Sequence, residues 1–177
     1  MGFLSAITGI LSQYAGGSTP PDADVHQHFD QVSQAAPASS IAQGLAAAFN
    51  SGQTPPFAQM AAQMFGNSGG GVQASVLNTL LASAGPAVLS QFLGGGGAGS
   101  VLSSILGGGG ATTVTPAQAA TVPPEEMQAL AEHVAKHDPS IVDRVSSVYA
   151  EHPTLIKGLG AVAMGIALKK VAEMQTR

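Results

Sequence analysis

Residues 88–110 read VLSQFLGGGGAGSVLSSILGGGG, two short apolar segments that each run into four glycines. Neither segment carries a charge, and each is long enough for only about two turns of helix. Leucine and isoleucine recur in them at the spacing of a helix, and glycine runs end helices because glycine is a poor helix former. The stretch therefore predicts an all-α fold of short amphipathic helices with glycine-rich breaks, followed by a C-terminal helical bundle.

An internal echo extends this pattern to the N-terminus. ILSQYAGG at residues 10–17 matches VLSQFLGG at residues 88–95, and VLSSILGG follows at residues 101–108. One interpretation is a recurring module, a short apolar helix closed by glycine in the left-handed conformation. The other is chance similarity within a chain rich in alanine, glycine and serine. The sequence leaves both open.

The charges are distributed very unevenly. Residues 31–124 contain no Asp, Glu, Lys, Arg or His, although charged residues make up 9% of the chain. Six basic residues and a net charge of −4 give no footprint for nucleic acid, so nucleic acid is excluded as a partner. The absence of cysteine removes disulfides and thiolate metal sites, and it fits a cytoplasmic protein.

Composition divides the chain into three segments. Residues 1–93 form an uncharged apolar helical body for membrane contact or self-association, and residues 94–120 form a linker rich in Gly, Ala and Thr. Residues 121–177 carry most of the charges and read as short helices, which predicts a unit for oligomerisation and partner docking. So few helices are marginally stable alone, and self-association would stabilise them.

The uncharged surface is expected to contact lipid or protein, because it lacks the charge that keeps soluble monomers apart. No run of 18 consecutive apolar residues occurs, so we expect peripheral association with a membrane surface rather than a spanning helix. The predicted membrane, lipid or quinone contacts are the apolar residues of the short helices, namely Phe3, Leu4, Ile7, Ile10, Leu11, Tyr14, Val76, Leu77, Leu80, Leu81, Val88, Leu89, Phe92, Leu93, Leu102, Ile105 and Leu106.

The last predicted helix, from about residue 154 to 175, has a spacing suited to self-association. Leu155, Leu159, Val162 and Ile166 are 4, 3 and 4 residues apart, as in a coiled coil, and we call these four residues the C-terminal seam. Gly158, Ala161 and Gly165 give a second face on which backbones can approach closely. The seam predicts an oligomer interface; an ordinary core helix and a membrane-surface helix are the alternatives.

Candidate metal ligands are sparse. His133 and His137 lie four residues apart on one helix, as metal sites need, but no third ligand is specified. Glu132 precedes His133, whereas the glutamate of a zincin motif follows its first histidine. The segment DADVHQHFD at residues 22–30 would share one face only on a strand, and Val25 and Phe29 favour a helix. We therefore predict no metal site and no bound cofactor.

The layout of the whole chain resembles the small non-catalytic subunit that scaffolds actinobacterial high-affinity uptake [NiFe]-hydrogenases. The similarity is one of size, of an uncharged body with ILSQYAGG and VLSQFLGG, and of a charged helical end with PPEEMQALAEHVAKHDPS. The resemblance implies a homo-oligomeric core that holds catalytic subunits. It also implies an apolar part that contacts the membrane and helps a menaquinone-type quinone reach them.

Three functional hypotheses follow. The first is a non-catalytic, homo-oligomeric scaffold that assembles a respiratory enzyme complex and attaches it peripherally to the cytoplasmic side of a membrane. The second is a small monomeric carrier that binds lipid or quinone between its apolar helices. The third is a metal-dependent enzyme using His133 and His137, although no nucleophile elbow or phosphate loop accompanies them.

Overall fold

The computed structural model describes residues 2–17, 20–95, 99–107 and 112–175, with side chains from Ser5 onward. The predicted all-α class is confirmed, and these ranges contain no strand. The helices are α1 (Gly2–Ala15), α2 (Asp22–Ala35), α3 (Ala38–Phe49), α4 (Phe57–Gly66), α5 (Gly70–Gly94), α6 (Ser100–Gly107), α7 (Pro116–Ala119), α8 (Pro124–His137), α9 (Ile141–Ala150), α10 (Pro153–Ile156), a 3-10 helix (Lys157–Leu159) and α11 (Ala161–Gln175).

The chain forms two compact units, and one of them is discontinuous. Unit 1 combines residues 1–55 with 149–177, and unit 2 is residues 56–148. The boundary falls inside α9. Contacts therefore group the chain differently from composition: each unit takes part of the charge-free run 31–124 and part of the charged C-terminal segment.

In unit 1, α11 is the central helix and packs against α1, α2 and α3. Met164, Leu168 and Val171 are fully or almost fully buried on the packed side of α11. Gly44 lies where α3 approaches α11 most closely, because a β-carbon there would be 2.6 Å from the carbonyl oxygen of Ala167. The absence of a side chain at this residue lets the two backbones meet.

The predicted single C-terminal helix is interrupted. Gly160 adopts a φ of 88°, which only glycine accepts readily, and it separates the 3-10 helix from α11. Leu155 and Leu159 precede this break, whereas Val162 and Ile166 follow it. The prediction of one continuous helix was wrong here, because the apolar spacing on either side of Gly160 does not reveal the backbone conformation of this glycine.

In unit 2, α4, α5 and α8 surround a shared core. Helix α4 contributes two buried methionines and Phe65, and α8 contributes Met127 and Leu130. Leu77 and Leu80 of α5 are completely buried beside them. Apolar residues at helical spacing on all three helices explain this packing, since each helix can turn one stripe toward the same interior.

Helix α5 is broken at the Gly85-Pro86 pair. Gly85 has a φ of 68° and a ψ of 169°, so the helix ends there and restarts at Pro86. In the described part of the chain, α5 alone is long and apolar enough to cross a membrane by length and composition, a property that core helices share. The 15 residues before Gly85 span about 22 Å, less than the roughly 30 Å of a hydrocarbon core.

The glycines after the echoed segments differ in conformation. Gly17, after ILSQYAG, has a φ of 79° and is left-handed, as the module interpretation predicts. Gly95, after VLSQFLG, has a φ of −77°, so that prediction was wrong at the second copy. Gly108, after VLSSILG, lies outside the described residues. The echo therefore conserves a short apolar helix but not one way of ending it.

The close approach at Gly44 gives a stability prediction. Replacing Gly44 with Ala is expected to lower the free energy of unfolding by about 1–3 kcal/mol, because the new methyl group would collide with the α11 backbone. Chemical denaturation followed by circular dichroism measures the change. The control is Gly9→Ala in α1, where a β-carbon meets open space. That variant should be unchanged or up to about 1 kcal/mol more stable; equal losses in both variants would contradict the packing account.

Candidate functional site: an apolar groove in unit 2

Unit 2 contains a groove between the two parts of α5, helix α6 and the segment that follows it. The cavity has a volume of about 730 Å³. Helix α5 lines it with residues at helical spacing on both sides of the Gly85 break, and α6 forms the opposite wall. The lining residues are Asn78, Leu81, Ala82, Gly85, Pro86, Leu89, Ser90, Leu93, Ser103, Leu106, Gly107, Thr112 and Thr113.

One end of the groove is fixed by a side chain that pairs with backbone. The amide of Asn78 donates to the carbonyl oxygen of Val114 at 3.1 Å, and the amide oxygen accepts from the Val114 N–H at 2.7 Å. The Val114 side chain is buried. Thr115 then caps α7 in a reciprocal pair with Gln118. Residues 112–115 are thereby held against α5, although they belong to no regular element.

The wall formed by α6 is held by a carboxylate from another helix. Glu126 of α8 accepts hydrogen bonds from the hydroxyl of Ser100 and the backbone N–H of Val101, both at 3.0 Å, and from the N–H of Leu102 at 3.1 Å. Glu126 is only 9% exposed. A helix begins with unpaired N–H groups and the positive end of its dipole. A carboxylate at this end stabilises the helix both by accepting hydrogen bonds from those N–H groups and by its charge. The sequence indicated Glu126 only as an acid in the first turn of α8.

The electrostatics of Glu126 follow from these contacts. Burial by itself would raise the pKa of the carboxyl group, because it disfavours the charged form. The hydrogen bonds from Val101, Leu102 and Ser100 favour the carboxylate and outweigh burial, so the pKa lies below the ordinary value of glutamate. Glu126 is therefore ionised while it holds α6.

The predicted apolar contact residues divide into two groups. Ten are buried in the core of their unit: Ile7, Leu11, Tyr14, Val76, Leu77, Leu80, Leu81, Phe92, Leu102 and Leu106. Five are half-buried: Ile10, Val88, Leu89, Leu93 and Ile105. The side chains of Phe3 and Leu4 lie outside the described residues. The structure brings Leu81, Leu89, Leu93 and Leu106 together in the groove, a grouping that the sequence did not indicate.

The predicted oligomerisation residues are all half-buried or exposed in unit 1. Val162 is 56% exposed and Ile166 is half-buried, while Ala163 and Ala167 beside them are buried. Leu155, Leu159, Ala161 and Gly165 are half-buried, and Gly158 is exposed. A hollow of about 340 Å³ opens beside the seam and is lined by Tyr14, Gly17, Gln53, Val162, Gly165, Ile166 and Lys169.

The two histidines of α8 lie close together without further ligands. The ring centroids of His133 and His137 are 5.1 Å apart, and the ring centroids of Phe92 and His133 are 5.9 Å apart. The buried Nε2 atom of His133 has no hydrogen-bond partner among the described residues. Within the described ranges, no group of three His, Asp or Glu side chains is placed to hold a metal ion.

The acidic and histidine-rich segment of residues 22–30 is helical and joins parts of unit 1. Its residues Val25 and Phe29 are buried, as predicted for a helix. The Nδ1 atom of His28 lies 3.2 Å from the hydroxyl oxygen of Tyr14, and Asp30 accepts from Lys157 at 2.7 Å. Burial and the nearby Asp24 raise the pKa of Tyr14 to about 12. The segment therefore forms tertiary contacts within unit 1.

Comparisons with known proteins return no relative. No family model, no curated protein and no solved structure matches the chain. The resemblance to a hydrogenase scaffold subunit therefore stays a prediction.

The Glu126 contact predicts a loss of stability localised at α6. Glu126→Gln keeps the shape but removes the charge, and hydrogen bonds to charged groups are worth about 1.5–3 kcal/mol. We expect faster hydrogen exchange of the Val101 and Leu102 amides and a loss of similar size in unfolding free energy. Glu125→Gln is the control, because Glu125 is exposed in the same turn; it should change stability by less than about 0.5 kcal/mol. Equal exchange in both variants would refute the contact.

The lowered pKa of Glu126 also predicts how this contribution depends on pH. Between the folded-state and unfolded-state pKa values the unfolded chain binds more protons, so stability rises with pH in that window. The contribution is complete above the ordinary glutamate value of about 4.3 and is lost as pH falls through the depressed folded-state pKa. The stability difference between wild type and Glu126→Gln should therefore be constant near neutrality and shrink in acid. Denaturation curves over a pH series test this, and a difference that shrinks near pH 7 would contradict it.

Proposed function

We propose that this chain is a non-catalytic, homo-oligomeric scaffold that assembles a respiratory enzyme complex, with an uptake hydrogenase as the suspected partner. In this proposal the scaffold attaches the complex peripherally to the cytoplasmic side of a membrane. The chain binds no cofactor with its own residues, and its apolar surface contacts lipid or a menaquinone-type quinone. Its partners are further copies of itself, the catalytic subunits and the membrane surface.

The observation that carries the proposal is the exposed part of the C-terminal seam. Val162 is the one large hydrophobic side chain that is exposed in the described part of the chain. The core of unit 1 is already filled from the other side of α11, by Met164 and Leu168 among others. Exposed apolar residues beside a hollow suit insertion into a second copy, and burial of that surface supplies the free energy of association.

The charge-free run supports the lipid part of the proposal. Residues 31–124 offer no charged group that would have to be desolvated at a membrane or protein surface. The groove in unit 2 and the half-buried Val88 and Ile105 are among the described places where this run leaves apolar surface unfilled. A scaffold that contacts lipid needs such surface outside its own core.

The molecular mass in solution tests whether the C-terminal seam is an oligomer interface. The double variant Val162→Glu with Ile166→Glu is expected to convert an oligomer into a monomer of 17.5 kDa, because like charges would face each other across the interface. Light scattering coupled to size exclusion measures the mass. Gln43→Glu, on the exposed side of α3, is the matched control and should leave the oligomer intact. A wild-type chain that is monomeric at all concentrations would overturn the scaffold proposal.

The groove specifically favours a second candidate function, a small carrier of lipid or quinone. Its volume of about 730 Å³ falls within the roughly 300–1,000 Å³ of ligand pockets. Native mass spectrometry separates the two candidates: a monomer with one bound lipid favours the carrier, and an oligomer favours the scaffold. The metal-dependent enzyme has no comparable support, because His133 and His137 gain no third ligand in the described structure.

A further inference from the structure

The groove of unit 2 has an unusual electrostatic property for a ligand site: none of the described residues that line it is charged. Two cations of unit 2 already have partners elsewhere. Arg144 donates to the hydroxyl of Ser83 at 2.9 Å, and Lys136 pairs with Glu132 at 2.8 Å. A carboxylate or phosphate in the groove would lose its hydration without gaining a cation, which is unfavourable. The lining therefore discriminates against charged ligands.

The polar groups of the groove differ in whether their hydrogen-bonding capacity is already used within the protein. The hydroxyls of Ser90 and Ser103 donate to carbonyl oxygens of their own helices. Asn78 is engaged with both backbone groups of Val114. Among the described hydrogen bonds, none uses the hydroxyls of Thr112 and Thr113. These two exposed threonines are the groups that a polar part of a ligand could reach.

The polar and apolar parts of the groove are also arranged in order along α5. The bond from Asn78 to Val114 places Thr112 and Thr113 near the N-terminal part of the α5 lining. Leu89 and Leu93 follow 11 and 15 residues later on α5, past the break at Gly85, and Leu106 faces them from α6. An elongated ligand with one polar end fits this order, since each part would meet groups of its own kind.

We propose that this groove binds an uncharged amphiphile with a single long apolar chain. Its neutral head group lies at Thr112 and Thr113, and its chain lies along Leu81, Leu89, Leu93 and Leu106. This inference rests on the lipid contact proposed above and adds the ligand's charge class and orientation.

Two probes with the same chain test the charge class on the full-length protein. Monoolein is neutral and oleate is anionic at pH 8, and each is used below its aggregation concentration to displace the neutral dye Nile red. Native mass spectrometry checks the stoichiometry. We expect displacement by monoolein at a concentration at least tenfold lower than by oleate. Equal potency, a preference for oleate or no displacement by monoolein overturns the inference.

A charge placed in the groove provides the matched variant. Leu89→Lys adds a cation to the lining and is expected to improve oleate binding at least tenfold, so that the preference narrows or reverses. Gln91→Lys places the same charge two residues further along α5, at an exposed side chain outside the lining, and should keep the wild-type preference. Identical effects of both variants would refute the assignment. Circular dichroism checks folding, and the wild-type comparison decides alone if Leu89→Lys does not fold.

The oligomer and ligand experiments fail independently. A wild-type chain that self-associates but prefers oleate overturns this inference and leaves the scaffold proposal standing. A monomer that binds monoolein with the expected preference overturns the scaffold proposal and leaves this inference standing. Loss of monoolein binding on self-association would show that a second copy, and not a lipid, occupies the groove.

Discussion

The three hydrogen bonds that Glu126 accepts from α6 are the interaction on which the groove of unit 2 depends. Residues 31–124 contain no charge, so the helices of this run begin without an acidic side chain of their own. Glu126, two residues beyond the run, supplies the missing carboxylate from α8. With α6 held in this way, this helix of eight residues can contribute Leu106 to the groove that it forms with α5.

A second property of the composition explains why the core uses close backbone approaches. A chain rich in alanine and glycine gains little from large side chains, so helices must come near each other to exclude water. Gly44 against the backbone of Ala167 is the clearest case in unit 1. In unit 2, Gly70 meets the backbone of Pro116 in the same manner, with a β-carbon position 2.8 Å from its carbonyl oxygen. Small residues thus contribute packing as well as flexibility.

Periodicity predicted the helices well and tertiary groupings poorly. Helix α5 and its break at Gly85 follow from apolar spacing and a Gly-Pro pair, which are local signals. The break at Gly160 was missed because glycine can also lie within a helix, as Gly165 does, and only the backbone conformation decides. Glu126 and Asn78 could not be assigned from sequence, since each acts on a segment more than 20 residues away. The four leucines of the groove were named as apolar contacts, but their meeting depends on the same long-range bonds.

The discontinuity of unit 1 has a consequence for synthesis of the chain. Helices α1, α2 and α3 leave the ribosome with their apolar sides uncovered, because α11, which fills the space among them, is encoded more than 100 residues later. At translation rates of about 5–20 residues per second, this delay is on the order of ten seconds. Unit 2 is contiguous and can complete its core within that interval. Each new chain therefore passes through a stage in which the first half of unit 1 exposes apolar surface although all residues of unit 2 have been synthesised.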